Sequence, residues 1–249
     1  MVSGRQTRRA VVQQRLPSLL DPPVAFAHRG ARAHAAENTL DAFALALRLG
    51  ATGLESDVWL TADGVAVLDH DGLVKSGMRK RPISSVARGA LPGHIPTLEE
   101  LFDRCGTGFD LSLDVKDPAA GPVVIDTVRA CAPGFLPRLW LCQPTWESLL
   151  PLRPLTEEVR LVESTRLARI KEGPERRAAT LADRGIDAVN MHYTDWTGGL
   201  TTLFHRFRRV TLAWDLQFDR NLRDALRMGI DGVFSDWVDR MMDAFRAEV

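Results

Sequence analysis

The sequence predicts an α/β fold, a (β/α)8 barrel with a short hairpin and loop insertion after the second strand. Three observations lead there. Short apolar β-type runs alternate with longer helical patterns along almost all of the 249 residues, without a linker-like break. One unit echoes along the chain: LRLGATGLESD, DRGIDAVN and RMGIDGVFSD each run from a helix end through Gly50, Gly185 or Gly229 into a strand, as a left-handed residue just past a helix permits. Polar residues gather where the strands end, and such barrels place their sites at the C-terminal ends of their strands.

Residues 1–20 begin with arginines as a signal peptide would, but Gln13, Gln14, Arg15 and Pro17 interrupt the apolar run that such a peptide needs. They are expected to form a poorly ordered or loosely docked arm, with 21–249 as a single barrel domain. The first strand is read at 24–27, followed by a helix over 39–49 in which Leu40, Phe43 and Leu47 recur behind an Asn38/Thr39 cap. The second strand spans 53–60 and turns back at Asp63-Gly64 into a return strand at 65–70. With those two residues as the whole loop, Ala62 faces Val65 and Asp57 stands opposite His70, so that Glu55, Asp57 and His70 share one face. The irregular segment 71–96 carries Lys75, Arg79, Lys80 and Arg81 and is either a lid over the strand ends or a solvated loop. Further strands are expected at 110–115, 138–142, 159–163, 187–190, 210–214 and 232–235.

Composition narrows the function classes. A hydrophobic content of 45% and a charged content of 26% are ordinary for a globular protein, and the formal net charge of zero offers no global field for nucleic acid or an acidic membrane surface. Cys105, Cys131 and Cys142 show no metal-finger or CxxC spacing and are read as reduced core residues of a cytoplasmic protein. No apolar run approaches the length of a membrane span.

The strand ends carry the chemistry. Strand one closes with His28-Arg29-Gly30, strand two carries Glu55 and Asp57, and its partner ends in His70-Asp71. In LSLDVKD, Asp114 and Lys116 alternate with apolar residues and so point to one face; later strands end in Gln143, Glu163, Asn190 with His192, Trp214, and Ser235-Asp236. Glu55, Asp57 and Asp114 suit a hard divalent cation, Mg²⁺ or Ca²⁺. Imidazole as a group titrates near neutral pH, so two histidines on separate strands, His28 and His70, can act as base and acid in one displacement. Arg29 and Lys116 can hold phosphate oxygens where charge develops. Trp214 can stack on a substrate or pack in the barrel, Glu37 is a neighbour of the site or part of a helix cap, and Asp71 can orient His70. Metal, two histidines and two cations around one mouth point to cleavage of a phosphate ester.

In AHRGARAHAAENTLDAF at 27–43, LESDVWLTADGVAVLDHD at 54–71, IPTLEELF at 95–102, LDVK at 113–116 and GIDGVFSD at 229–236, the chain resembles the glycerophosphodiester phosphodiesterases. The resemblance implies a (β/α)8 barrel, a divalent metal on Glu55 and Asp57, and His28 and His70 as the catalytic pair. It implies hydrolysis of a small glycerophosphodiester to sn-glycerol 3-phosphate and an alcohol. Two departures stand out. Asp114 replaces the family's usual Glu and is similar to the sphingomyelinase D type, and Trp214-Asp215-Leu216-Gln217 replaces Trp-Thr-Val-Asn. Lysophospholipase D or sphingomyelinase D-like chemistry is the alternative activity, and a silent barrel that binds phospholipid headgroups is the alternative outside catalysis.

Overall fold

The computed structural model describes residues 15–76 and 79–249. Its strands are β1 (Val24–His28), β2 (Gly53–Leu60), β3 (Ala66–Leu68), β4 (Leu73–Ser76), β5 (Arg79–Pro82), β6 (Asp110–Val115), β7 (Leu139–Gln143), β8 (Arg160–Thr165), β9 (Ala188–His192), β10 (Val210–Trp214) and β11 (Gly232–Ser235). The helices are α1 (Leu40–Arg48), α2 (Leu98–Cys105), α3 (Ala120–Cys131), α4 (Pro174–Asp183), α5 (Gly198–Arg206), α6 (Asp219–Arg227) and α7 (Val238–Glu248). The parallel strands run β1-β2-β6-β7-β8-β9-β10-β11 around a barrel that closes through β11 onto β1, while β3 adds an antiparallel edge to β2. The expected eight-stranded barrel is present. Strands two, three, seven and eight of the barrel match the sequence reading to the residue, and the others end one or two residues further on.

Alternation along each strand sorts side chains between two cores. Phe26, Trp140, Cys142, Val162, Ala188, Leu212 and Phe234 fill the barrel interior, with Phe26 stacked on Phe234 at 4.6 Å and edge-on to Trp140 at 5.8 Å. Gly53 leaves room for that packing, since a Cβ there would lie 2.5 Å from the Phe26 ring. The opposite faces, with Leu54, Val58, Leu111, Leu113 and Leu161, pack beneath the helices. Burial on both faces is why these segments read as nearly continuous apolar runs.

Several local expectations change. Of the three cysteines only Cys142 is buried in the core; Cys105 is half-buried, and Cys131, at the end of α3, is exposed. Thr39 alone caps α1, its hydroxyl accepting from Ala42 N at 3.2 Å. Asn38 does not cap; its Oδ1 accepts from Ser56 Oγ at 2.7 Å and ties the α1 approach to β2. Between β7 and β8 there is no α-helix, only 3-10 turns at Trp146–Leu149 and Arg153–Leu155. Pro144, Pro151 and Pro154 remove backbone donors from that stretch and work against helix propagation. The segment after β3 is built rather than irregular: β4 pairs with β5, and Val74, Ile83, Val86, Leu91 and Ile95 form a small core on Val67 and Trp59.

The turn after β2 is also one residue longer than expected. Thr61 N donates to Val65 O at 3.0 Å and Thr61 Oγ1 donates to Asp63 Oδ1 at 2.5 Å, so Ala62, Asp63 and Gly64 together form the loop. A three-residue loop with a left-handed glycine at its end is a standard hairpin solution, and Gly64 has φ 79°. Val58 therefore pairs with Leu68, and Asp57 stands opposite Asp69, not His70. Residues 15–20 of the expected arm fall within the described chain and hydrogen-bond to it, Leu16 N to Arg227 O at 2.9 Å and Leu20 N to Asp231 Oδ1 at 3.0 Å. Residues 1–14 lie outside the described residues.

Candidate active site

The C-terminal ends of β1, β2 and β6 bring the predicted carboxylates together. Glu55 pairs in register with His28 across β1 and β2, and Asp57 with Asp114 across β2 and β6. Each of Glu55, Asp57 and Asp114 offers an oxygen, all within 4.8 Å of one another. Glu55 and Asp57 are buried, and Asp57 Oδ2 has no hydrogen-bond partner among the described residues. Three clustered carboxylates, one with a buried oxygen that accepts no hydrogen bond, fit a hard divalent cation, since oxygen donors are what such ions take.

Lys116 and Arg29 also address this cluster. Lys116 Nζ lies 3.0 Å from Asp57 Oδ1 and 2.9 Å from Asp114 Oδ2. Burial works against the lysine's charge, but Asp114 and Asp57 outweigh it and raise its pKa. Arg29 donates from its backbone N to Glu55 Oε2 at 2.9 Å, places Nε 3.5 Å from Asp57 Oδ2, and donates through Nη1 to Glu37 at 3.2 Å. Glu37 also meets Arg32 at 3.1 Å, so it positions two arginines beside the site.

Burial pushes the Glu55 carboxyl up to about 7, reinforced by Asp57 and Asp114 and opposed by His28. Burial likewise raises Asp57, with Lys116 as the main opposing influence. For His28, burial opposes the charged ring, but Glu55 and a bond to Asp236 outweigh it and the pKa is raised. That bond is short, Nδ1 to Asp236 Oδ1 at 2.6 Å. A carboxylate only accepts, so Nδ1 carries the proton and donates; Nε2, 3.8 Å from Glu55 Oε2, keeps the lone pair of the neutral ring.

A cavity of about 270 Å³ opens beside this cluster, lined by His28, Glu55 and Asp114 at one end and by Ser164, Asn190, Trp214, Asp215 and Gln217 toward the other. Trp214 meets the His192 ring edge-on at 4.6 Å. Asp215 accepts from His192 Nε2 at 3.0 Å and from Gln217 Nε2 at 3.3 Å, and Gln217 Oε1 accepts from Asp236 N at 3.1 Å.

His70 directly follows Asp69, the residue opposite Asp57 across the hairpin of β2 and β3. His70 and Asp71 follow β3, are exposed, and pair with each other at 3.0 Å; among the described residues His70 does not line this cavity. Glu163 faces the helices and bonds to Arg177 and to Trp146 N. From sequence, Asp236 stands out only as a polar strand end and Gln217 only within the Trp214–Gln217 departure, both without a role, and Ser164 does not stand out at all. The role of Asp236 depends on its bond to His28 across the closed barrel, which no local pattern shows, and Ser164 carries no local signal.

The chain matches the model of the glycerophosphoryl diester phosphodiesterase family over residues 28–240. It is 27% identical over 237 residues to a glycerophosphodiester phosphodiesterase of Bacillus altitudinis, covering 86% of this chain and 95% of that protein. A relative of the same name from Caldanaerobacter subterraneus is 36% identical over 108 residues, 36% of this chain and 44% of that one. In fold it is similar to an Oleispira antarctica phosphodiesterase solved with its product sn-glycerol 3-phosphate, with a TM-score of 0.78 at 21% identity over 90% of this chain and 97% of that one. With the barrel, the acidic cluster and the match over residues 28–240, the chain belongs to the glycerophosphoryl diester phosphodiesterase family and is a phosphodiesterase.

Proposed function

We propose that the protein hydrolyses small glycerophosphodiesters to sn-glycerol 3-phosphate and an alcohol, within a single domain spanning 21–249. The observation that carries this reading is the convergence of Glu55, Asp57 and Asp114 within 4.8 Å beside a histidine whose tautomer Asp236 fixes. Glu55, Asp57 and Asp114 would hold the cation, Mg²⁺ or Ca²⁺. When bound, such an ion polarises phosphoryl oxygens and offsets developing charge.

The chain's own groups do the rest. His28 Nε2 takes the proton of the attacking hydroxyl or water as its oxygen bonds to phosphorus. His70, oriented by Asp71, protonates the alcohol oxygen as the bond from phosphorus to it breaks. Arg29 and Lys116 orient the phosphate oxygens and add positive charge where the transition state gains negative charge. The three unpaired cysteines accord with work in the cytoplasm.

One observation supports lysophospholipids as a second substrate class. A further cavity of about 260 Å³ shares Asp114 and Ser164 with the first. It shares Val115 and Gln143 in turn with one of about 270 Å³ lined by Pro118, Pro122, Pro151 and Leu152, an apolar end fit for an acyl chain. The test is release of glycerol 3-phosphate from glycerophosphocholine by the purified protein, with added Mg²⁺ or Ca²⁺ and with excess EDTA. Release that stops in EDTA supports the reading, and no release with either ion refutes it. Lysophosphatidylcholine in a parallel assay decides the second class.

A further inference from the structure

The half of the cavity away from the acidic cluster is polar, lined by the Ser164 hydroxyl, the Asn190 and Gln217 amides and the Asp215 carboxylate, and Asn190 leaves an acceptor there unused. Asn190 is the inward residue between Ala188 and His192 on β9, and only 5% of it is exposed. Its Oδ1 has no hydrogen-bond partner among the described residues. Its Nδ2 makes a single long contact, 3.4 Å to Ser164 Oγ. A buried amide oxygen left unmatched is costly, so its environment is complete only when something in the cavity donates to it. Beside it stand the Asp215 carboxylate, which can only accept, and the Trp214 ring. No Lys or Arg lines this cavity among the described residues, and Arg166, 5.8 Å over the Trp214 ring, is paired with Asp195, so this end offers no uncommitted cation to a second anionic group.

Acceptors next to an aromatic face suit hydroxyl donors on a short carbon chain. We infer that Asn190, with Asp215 beside it, is the specificity residue that reads the free hydroxyls of the glycerol half of the substrate. This rests on the phosphodiesterase reading and deepens it. With the phosphate at the Glu55, Asp57 and Asp114 end, hydroxyls anchored at Asn190 direct the glycerol into the cavity. The ester oxygen of the other alcohol then points out toward the mouth. A leaving group such as choline has no hydroxyl to offer Asn190, so the wall also decides which of the two ester bonds is cut.

Two measurements test the assignment. The first uses the wild-type protein with added Mg²⁺ and compares dissociation constants for glycerol 3-phosphate and n-propyl phosphate, which differ by the two hydroxyls. Glycerol 3-phosphate should bind at least about tenfold more tightly, the scale on which sites built for hydrogen bonds reject analogues that lack them; equal affinities overturn the inference whatever any variant does. The second compares kcat/KM for glycerophosphocholine and propylphosphocholine in the wild type and in Asn190→Leu. The wild-type preference for glycerophosphocholine should shrink at least about tenfold in the variant, mainly through KM, and a preserved preference overturns the assignment. A wild-type protein that cleaves neither diester with either cation refutes the phosphodiesterase reading itself, a result distinct from cleavage without hydroxyl preference.

Discussion

Asp236 Oδ1 lies 2.6 Å from His28 Nδ1, joining the residue after β11 to the end of β1 across 208 positions of sequence. His28 gains a fixed tautomer from it, and Asp236 in turn is held below the usual carboxylate range: burial pushes it up, but the bond and charge of His28 outweigh that.

Asp236→Asn should therefore act through His28. Removing the carboxylate charge destabilises the imidazolium, so the His28 pKa falls and the acidic limb of the kcat/KM profile moves to lower pH. Turnover at the optimum should drop by about two orders of magnitude as ring orientation is lost. The carboxylate's contribution to stability has the opposite window. Its folded pKa is depressed, so the contribution is full above the unfolded value and is lost as pH falls through the folded one. Kinetic pH profiles and melting curves of the two proteins check both, and an unmoved acidic limb would remove Asp236 from the mechanism.

Lys116→Ala should separate chemistry from metal affinity. Loss of a positioned cation should slow phosphodiester turnover by about a hundredfold. The same change removes a positive charge 3.0 Å from Asp57 and 2.9 Å from Asp114, so Ca²⁺ should bind more tightly, not less. Calorimetric titration of the variant beside its kinetics reads both signs; weaker Ca²⁺ binding would mean that the lysine scaffolds the cluster.

Leaving-group dependence distinguishes the two histidines. Alkoxide needs a proton as it departs and nitrophenolate does not, and general acid help is worth about 10²- to 10⁴-fold. His70→Ala should cripple hydrolysis of glycerophosphocholine and spare much of the activity on a nitrophenyl phosphodiester, while His28→Ala should impair both. Equal proportional losses in the two variants would contradict the assignment of His70 as acid.

At the other end of the barrel, the fully buried Asp231 accepts from Leu19 N, Leu20 N, Thr211 N, Thr211 Oγ1 and His205 Nε2 at 2.5–3.0 Å. Asp231→Ala leaves those donors unmatched and should cost about 3–5 kcal/mol of stability. A lowered melting temperature with normal kcat in the folded protein is the expected result. Unchanged melting would show that the 15–20 segment and α5 hold without this anchor.

The sequence by itself determined the barrel and one side of its site. Apolar strand runs buried on two faces, glycines past the helix ends and paired polar residues at strand ends are local patterns, and Glu55, Asp57, Asp114 and Lys116 follow from alternation along β2 and β6. Tertiary structure alone decided the rest. The hairpin register turned on whether Thr61 would draw Asp63 into a longer loop, a competition between two acceptable turns that placed Asp69 and not His70 across from Asp57. Lys116 reads as a phosphate ligand from its position but is also the cluster's counterion, because β2 and β6 pair in a register that sets Asp57 beside Asp114. Asp236 and Asn190 acquire their meaning only when the barrel closes. The partner of one and the missing partner of the other depend on strands far apart in sequence that meet around a single cavity.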